Sequence, residues 1–269
     1  MSVPKTPDEF RTWSTKGTCG IFDKEAEAWF TSGQNNLFMV LHDSDFASGL
    51  ESTIAEARGK FHESAAAELF ALGTPPKLTW HKKTYDSLVD KLFRINCIEN
   101  ESFPAPPING WTTISDTFSK IDDIVRTTIF VGYADSARFL AEEIKDSAEK
   151  HGHAATVKEH AKEKGYYAHH VYVNFTLPIT DLLTGKFIDQ TATVELQVAT
   201  QLQAALREVT HVLYEKERLE SVGGAIPTNW KHDFSSGRFR AAYMAHSLRF
   251  IEAMIVDLRN TIHGSEGAK

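Results

Sequence analysis

Cysteine is nearly absent from this 269-residue chain: Cys19 and Cys97 stand far apart and form no CxxC pair. That argues against a disulfide framework or a cysteine zinc site and fits a reducing compartment. Long apolar runs are missing too. No stretch reaches the ~18 consecutive apolar residues of a membrane span, and MSVPKTPDEF holds no apolar segment of the kind a secretory leader carries. A cytoplasmic protein with no membrane partner is therefore expected. Glycine (16) and proline (9) are too few for a fibrous or low-complexity chain. Positive charge is in deficit: 29 Lys+Arg against 36 Asp+Glu leave a net charge of −7. A protein built to coat nucleic acid electrostatically is not expected.

What is present suffices for a core, since 42% of residues are hydrophobic and 11% aromatic. Charge is unevenly spread. Residues 1–76 carry −5, residues 77–120 carry +1, residues 121–220 carry −5 and residues 221–269 carry +2. The first of these segments has amphipathic helical spacing over Phe22–Phe30 and Ile54–Leu72, closed by Gly73-Thr74-Pro75-Pro76. A short strand follows over Lys77–Lys82, then a helix capped by Thr84. The pattern continues with a strand in Ile121–Tyr133, a helix over Ser136–His151 and a charged linker, His151–Lys164, ending at Gly165. Strands are expected over His170–Leu177 and Thr191–Val198, and helices over Gln201–Glu220 and Phe239–Ile262. This order predicts an α+β (mixed α/β) fold, with a mixed sheet flanked by helices. The expected division is an N-terminal helical extension (1–76), a central domain (77–220) and a C-terminal helical extension (221–269). The apolar stripe of Phe250, Met254 and Leu258 reads first as intramolecular core, second as a face for another subunit or an inhibitory protein.

Four stretches carry chemistry: His81–Lys91, Asp122–Phe130, Gly165–His170, and Thr193–Thr200 with its continuation Arg207–Glu215. Lys82, Lys83 and Lys91 can neutralise a polyphosphate, or can be lysines solvated at a helix start. Asp123, before a strand, and Glu195, within another, can hold one Mg²⁺, which takes one or two carboxylates plus phosphate oxygens and water. Asp123 can equally sit in a turn. Glu195 and Gln197 share the polar face of an otherwise apolar strand, so they face solvent or a cleft. Tyr166 can stack on a base or pack in the interior. His170 can orient a sugar hydroxyl or phosphate, or be an ordinary histidine.

In this order the motifs resemble the synthetase domain of the RelA/SpoT family, the alarmone synthetases. The family's R-x-K, serine and lysine look like His81-Lys82-Lys83, Ser87 and Lys91. Its D-I-A-G-x-R resembles Asp123–Thr128. Its G-Y-x-S-x-H is similar to Gly165, Tyr166, Ala168 and His170, and its E-x-Q-I-R-T to Glu195, Gln197, Val198 and Thr200. The closing E-H-x-x-x-Y-K keeps His211 and Tyr214. The match spans about residues 77–220. Departures are specific: His81 replaces an arginine, Arg126 a glycine, Thr128 an arginine and Ala199 an arginine. Arg126 and Arg138 are the candidates for restoring the lost charge.

The resemblance implies a nucleotidyltransferase-like sheet and transfer of the β,γ-diphosphate of ATP to the 3′-hydroxyl of a nucleotide acceptor, GDP, GTP or an adenine nucleotide. Mg²⁺ would be held by Asp123 and Glu195, with Glu195 also the candidate for activating the hydroxyl. ATP would meet His81, Lys83, Ser87, Lys91, Arg126 and Arg138. The acceptor would meet Tyr166, His170 and Gln197. A divergent branch of the family acts as toxins, some on the 3′ end of tRNA, and the resemblance to it brings in tRNA and an antitoxin protein as partners; a homo-oligomer is the reading in which the Phe250, Met254 and Leu258 stripe meets another subunit. The lost arginines leave an inactive nucleotide-binding module as the alternative. The hydrolase of long family members is not expected: His42-Asp43 and His232-Asp233 lack supporting metal ligands.

Overall fold

The computed structural model describes residues 4–15, 17–71, 73–220 and 230–266; the side chains of residues 211–220 and 264–266 lie outside that description. Eight α-helices and five strands are found among the described residues. In chain order they are α1 (Pro7–Trp13), α2 (Lys24–His42), α3 (Asp45–Ala65), β1 (His81–Lys82), α4 (Tyr85–Phe93), α5 (Thr117–Lys120), β2 (Val125–Val131), α6 (Ala134–Lys150), β3 (Ala155–Lys162), β4 (Tyr166–Thr180), β5 (Phe187–Thr200), α7 (Gln201–Glu220) and α8 (Gly237–Glu266). A π-helical turn, Arg94–Ile98, follows α4. The strands form one sheet in the order β1-β2-β5-β4-β3, flanked by helices, as the α+β reading predicts. β1 is antiparallel to β2, with His81 opposite Arg126 and Lys82 opposite Val125.

Chain contacts divide the molecule into two units. The first comprises Met1–Ser44, Trp80–Arg126 and Val173–Glu195; the second comprises Asp45–Thr79, Thr127–Tyr172 and Leu196–Lys269. In the first unit, Asp23 caps α2 by accepting from the Ala26 amide, and Glu25 and Glu27 favour the positive end of the helix. Trp29 and Phe30 pack on Phe118 with ring centroids 5.2 and 5.9 Å apart. Gly33 is required where α2 meets them: a Cβ there would lie 2.5 Å from Phe118 Cζ and 2.7 Å from Ile179 Cδ1. Cys19 and Cys97 are both free thiols, each pushed up to about 12 by burial.

In the second unit, α3 packs on α6, and Leu50 and Ile54 of the one and Leu140 and Ile144 of the other are buried. Thr53 and Ser147 share a 2.8 Å hydrogen bond in that interface. The buried Glu252 of α8 accepts from the Thr200 hydroxyl and, at 3.1 Å, from Gln203 Nε2. This ties α8 to the β5–α7 junction. The apolar stripe of α8 is not core: Phe250, Met254 and Leu258 are 65, 56 and 61% exposed. Most of the helix is turned to solvent because its small residues Ala241, Ala242 and Ala245 make the buried contact.

Two further expectations change. Residues 155–162, part of the charged linker, form strand β3 at one end of the sheet order. An edge strand pairs on one side only and is commonly rich in charged side chains, so its composition hides it. The strand expected over Lys77–Lys82 is reduced to His81–Lys82. The break at Gly223-Gly224 and Pro227 lies outside the described residues. Among those described, no helix is long and apolar enough to cross a membrane.

Candidate functional site

One cluster of candidate residues is built in the first unit. Thr84 caps α4, its hydroxyl oxygen accepting from the Ser87 amide at 3.2 Å. The cap starts the helix so that Lys91, two turns on, shares a side with the residue that precedes Thr84, Lys83. Lys83 itself sits just past β1, its N–H donating to Ile124 O at 2.9 Å. Gln34 of α2 donates to the carbonyls of Lys83 (2.7 Å) and Ile124 (3.2 Å), pinning both chain segments. Between them Asp123 receives Lys83 Nζ on one carboxylate oxygen at 2.9 Å and Lys91 Nζ on the other at 2.8 Å.

Burial alone would raise the Asp123 carboxyl, but Lys83 and Lys91 beside it outweigh that and hold it at about 2. For Lys83 the balance falls the other way. Burial lowers it more than Asp123 raises it, and the positive fields of Lys91 and Arg126 lower it further. Lys83, Lys91, Asp123 and Arg126 therefore come together in one unit. Lys82, which alternates to the opposite side, bonds Asn35 at 2.9 Å and lies over the Phe38 ring at 4.3 Å. It is a contact of α2. His81 and Ser87 are exposed at the start of this segment.

Glu195 lies in β5, the neighbour of β2 in the sheet, and is 4% exposed. Gln197, two positions on, is 5% exposed, so the polar face of this strand is enclosed and not a solvent face. Asp123 and Glu195 supply hard carboxylate oxygens, the donors Mg²⁺ prefers, and Asp123 is ionised at neutral pH. Among the described residues no group of three or more His, Cys, Asp or Glu is gathered for a metal. Mg²⁺ needs no more than one or two carboxylates and completes its shell with phosphate or water.

A second cluster is built in the second unit. Gly165 takes φ +84°, and a Cβ there would collide with Ala245 Cβ, so only glycine lets α8 approach the start of β4. Tyr166 follows directly. Its hydroxyl lies 2.8 Å from His170 Nε2; Tyr172 reaches His170 Nδ1 at 3.4 Å and His160 Nε2 at 3.1 Å. The His160 and His170 rings pack at 4.1 Å between centroids. Arg207 and Lys162 each lie 5.7 Å from the Tyr166 ring centroid. Arg207 also donates to Gln197 Oε1 at 3.4 Å. Thus Tyr166, His170 and Gln197 gather with His160, Lys162, Tyr172 and Arg207, to which the sequence reading gave no role. For His160 and Lys162 the signal was period-2 spacing, since Lys158, His160 and Lys162 alternate along β3. Arg138, exposed on α6, contributes with Arg249 to the positive field at His169, whose pKa is lowered chiefly by burial. The side chains of His211 and Tyr214 lie outside the described residues.

No protein-family model matches the chain, and no curated protein matches it. Solved structures do. The small alarmone synthetase 1 from Bacillus subtilis bound to its product pppGpp superposes with a TM-score of 0.54 at 15% identity, over 89% of this chain and 99% of that one. Another structure of that protein gives 0.52 at 15%, over 90% and 100%. The small alarmone synthetase 2 from the same organism gives 0.50 at 14%, over 87% and 100%. The chain has the small alarmone synthetase fold. That is the fold the motif resemblance implies.

Proposed function

We propose that this chain is a RelA/SpoT-like pyrophosphokinase that moves the β,γ-diphosphate of ATP to the 3′-hydroxyl of a nucleotide. The observation that carries the reading is the Lys83–Asp123–Lys91 cluster, lying before β2 in a fold shared with alarmone synthetases. Support also comes from the neighbour solved with pppGpp.

In the reaction, the acceptor 3′-oxygen attacks the β-phosphorus of ATP. The bond from that phosphorus to the α,β-bridging oxygen breaks, AMP leaves, and the hydroxyl proton passes to a base. Transfer of this kind depends on positioning and charge neutralisation. Lys83 and Lys91 bind phosphate oxygens, with Arg126 adding positive field; His81 and Ser87 complete the proposed donor contacts. Asp123 and Glu195 would hold Mg²⁺, which would supply Lewis-acid polarisation of the phosphates. Glu195 is also the proposed proton acceptor. Tyr166 offers its ring to the acceptor base, while the hydrogen bond to His170 fixes the plane of that ring. Gln197 and His170 supply polar contacts to the acceptor.

Incubation with γ-labelled ATP, Mg²⁺ and GDP, GTP, ATP or deacylated tRNA tests this. Label on a free nucleotide is expected. Label on tRNA would move the acceptor to the toxin type, and no transfer to any acceptor would leave a binding module without activity.

A further inference from the structure

Asp123 has no carboxylate oxygen left without a cation. Lys83 holds one at 2.9 Å and Lys91 the other at 2.8 Å, with side chains only 12 and 24% exposed around a carboxylate that is 17% exposed. Arg126 adds a third positive field at Lys83. A free divalent cation approaching Asp123 meets two ammonium groups at contact range and a negative charge already neutralised. A polyphosphate changes that balance, because its oxygens take up ammonium groups and bring negative charge of their own. Lysine suits such an exchange: it is a compact charge on a flexible stem, with no fork geometry tying it to one partner. The backbone beneath is fixed by Gln34 and by the Lys83–Ile124 hydrogen bond, so the exchange needs only side-chain torsions.

We propose that Lys83 and Lys91 form a latch on Asp123. Without nucleotide they hold the carboxylate against free divalent cations. A bound polyphosphate draws the ammonium groups to its own oxygens and releases Asp123 to the cation it carries. The cation therefore enters with the nucleotide and not before it. This rests on the pyrophosphokinase reading for the identity of the polyphosphate.

Binding of Mn²⁺ alone to the full chain, followed by electron paramagnetic resonance, tests the latch. Wild type is expected to bind Mn²⁺ weakly. Lys91→Met is expected to bind it about tenfold tighter or more, within the usual range of coupling between two ligands. Adding Asp123→Asn to that variant is expected to abolish the gain. Equal Mn²⁺ affinity in wild type and Lys91→Met would overturn the latch. A second readout needs no variant. The ¹³C carboxylate resonance of Asp123 is expected to stay put with Mg²⁺ alone and to move when α,β-methylene-ATP joins it; movement with Mg²⁺ alone overturns the proposal. If α,β-methylene-ATP fails to bind while Lys91→Met still gains the Mn²⁺ site, the latch stands and the pyrophosphokinase reading falls.

Discussion

The Asp123 cluster and the Tyr166 cluster are made of different physics. The first is three charged side chains in contact, shielded from water, with a carboxyl held at about 2 by its neighbours. The second is aromatic rings, two histidines and cations at 5.7 Å from a ring centre, joined by hydrogen bonds. Charge in a low-dielectric setting acts strongly and over distance. A stacking ring acts by contact and contributes about 1–3 kcal/mol per base. The first cluster should therefore govern the chemical step and the second the binding of the acceptor.

Mutations can break that division. The largest effect is expected for Glu195→Gln, which keeps the shape of a buried side chain but exchanges its carboxyl for an amide. Turnover should fall by roughly 10³-fold or more, in the range seen when one strong electrostatic contributor is lost, with little change in melting temperature. Near-normal turnover would remove Glu195 from the chemistry.

Second comes the acid limb of stability. The Asp123 carboxyl is lowered from 3.8 to about 2 on folding. A depressed carboxyl stabilises the fold above its unfolded pKa, and that contribution is lost as pH falls from about 4 through about 2. The difference corresponds to roughly 2 kcal/mol at neutral pH. Comparing unfolding free energies of wild type and Asp123→Asn across that window should show the gap closing in acid. A gap independent of pH would contradict the pairing.

Third, Tyr166→Ala should raise KM for the acceptor about tenfold while kcat changes little, given the stacking energy. Steady-state kinetics at saturating ATP would show it. A kcat effect with unchanged KM would place Tyr166 in the chemistry and dissolve the comparison. Smallest is Tyr166→Phe, which keeps the ring and loses the bond to His170. A rise in KM of about twofold to fivefold is expected, the size of one neutral hydrogen bond.

Much of this was readable in the sequence where local pattern decides. Thr84 as a cap, α6 and α7 as helices, and the alternation of β4 follow from spacing and end chemistry. β3 did not, because an edge strand rich in Lys, His and Glu has no apolar face to declare it. Lys83, Lys91 and Asp123 were each visible as candidates. Their mutual contact was not, since it joins positions 32 and 40 residues apart. Gly165 was legible as part of a motif, but its cause, a left-handed φ under the close approach of Ala245, belongs to tertiary packing. His160 and Arg207 reach the Tyr166 cluster only through strand pairing and the position of α7 after β5.

The most direct test of the central claim is the identity of both products in one reaction. With ATP, Mg²⁺ and the preferred nucleotide, mass spectrometry should find AMP released in equal amount to a nucleotide heavier by one diphosphate, blocked at its 3′-hydroxyl. ADP or free phosphate in place of AMP would mean that a single phosphoryl group or water, and not a diphosphate transfer, is what this site handles.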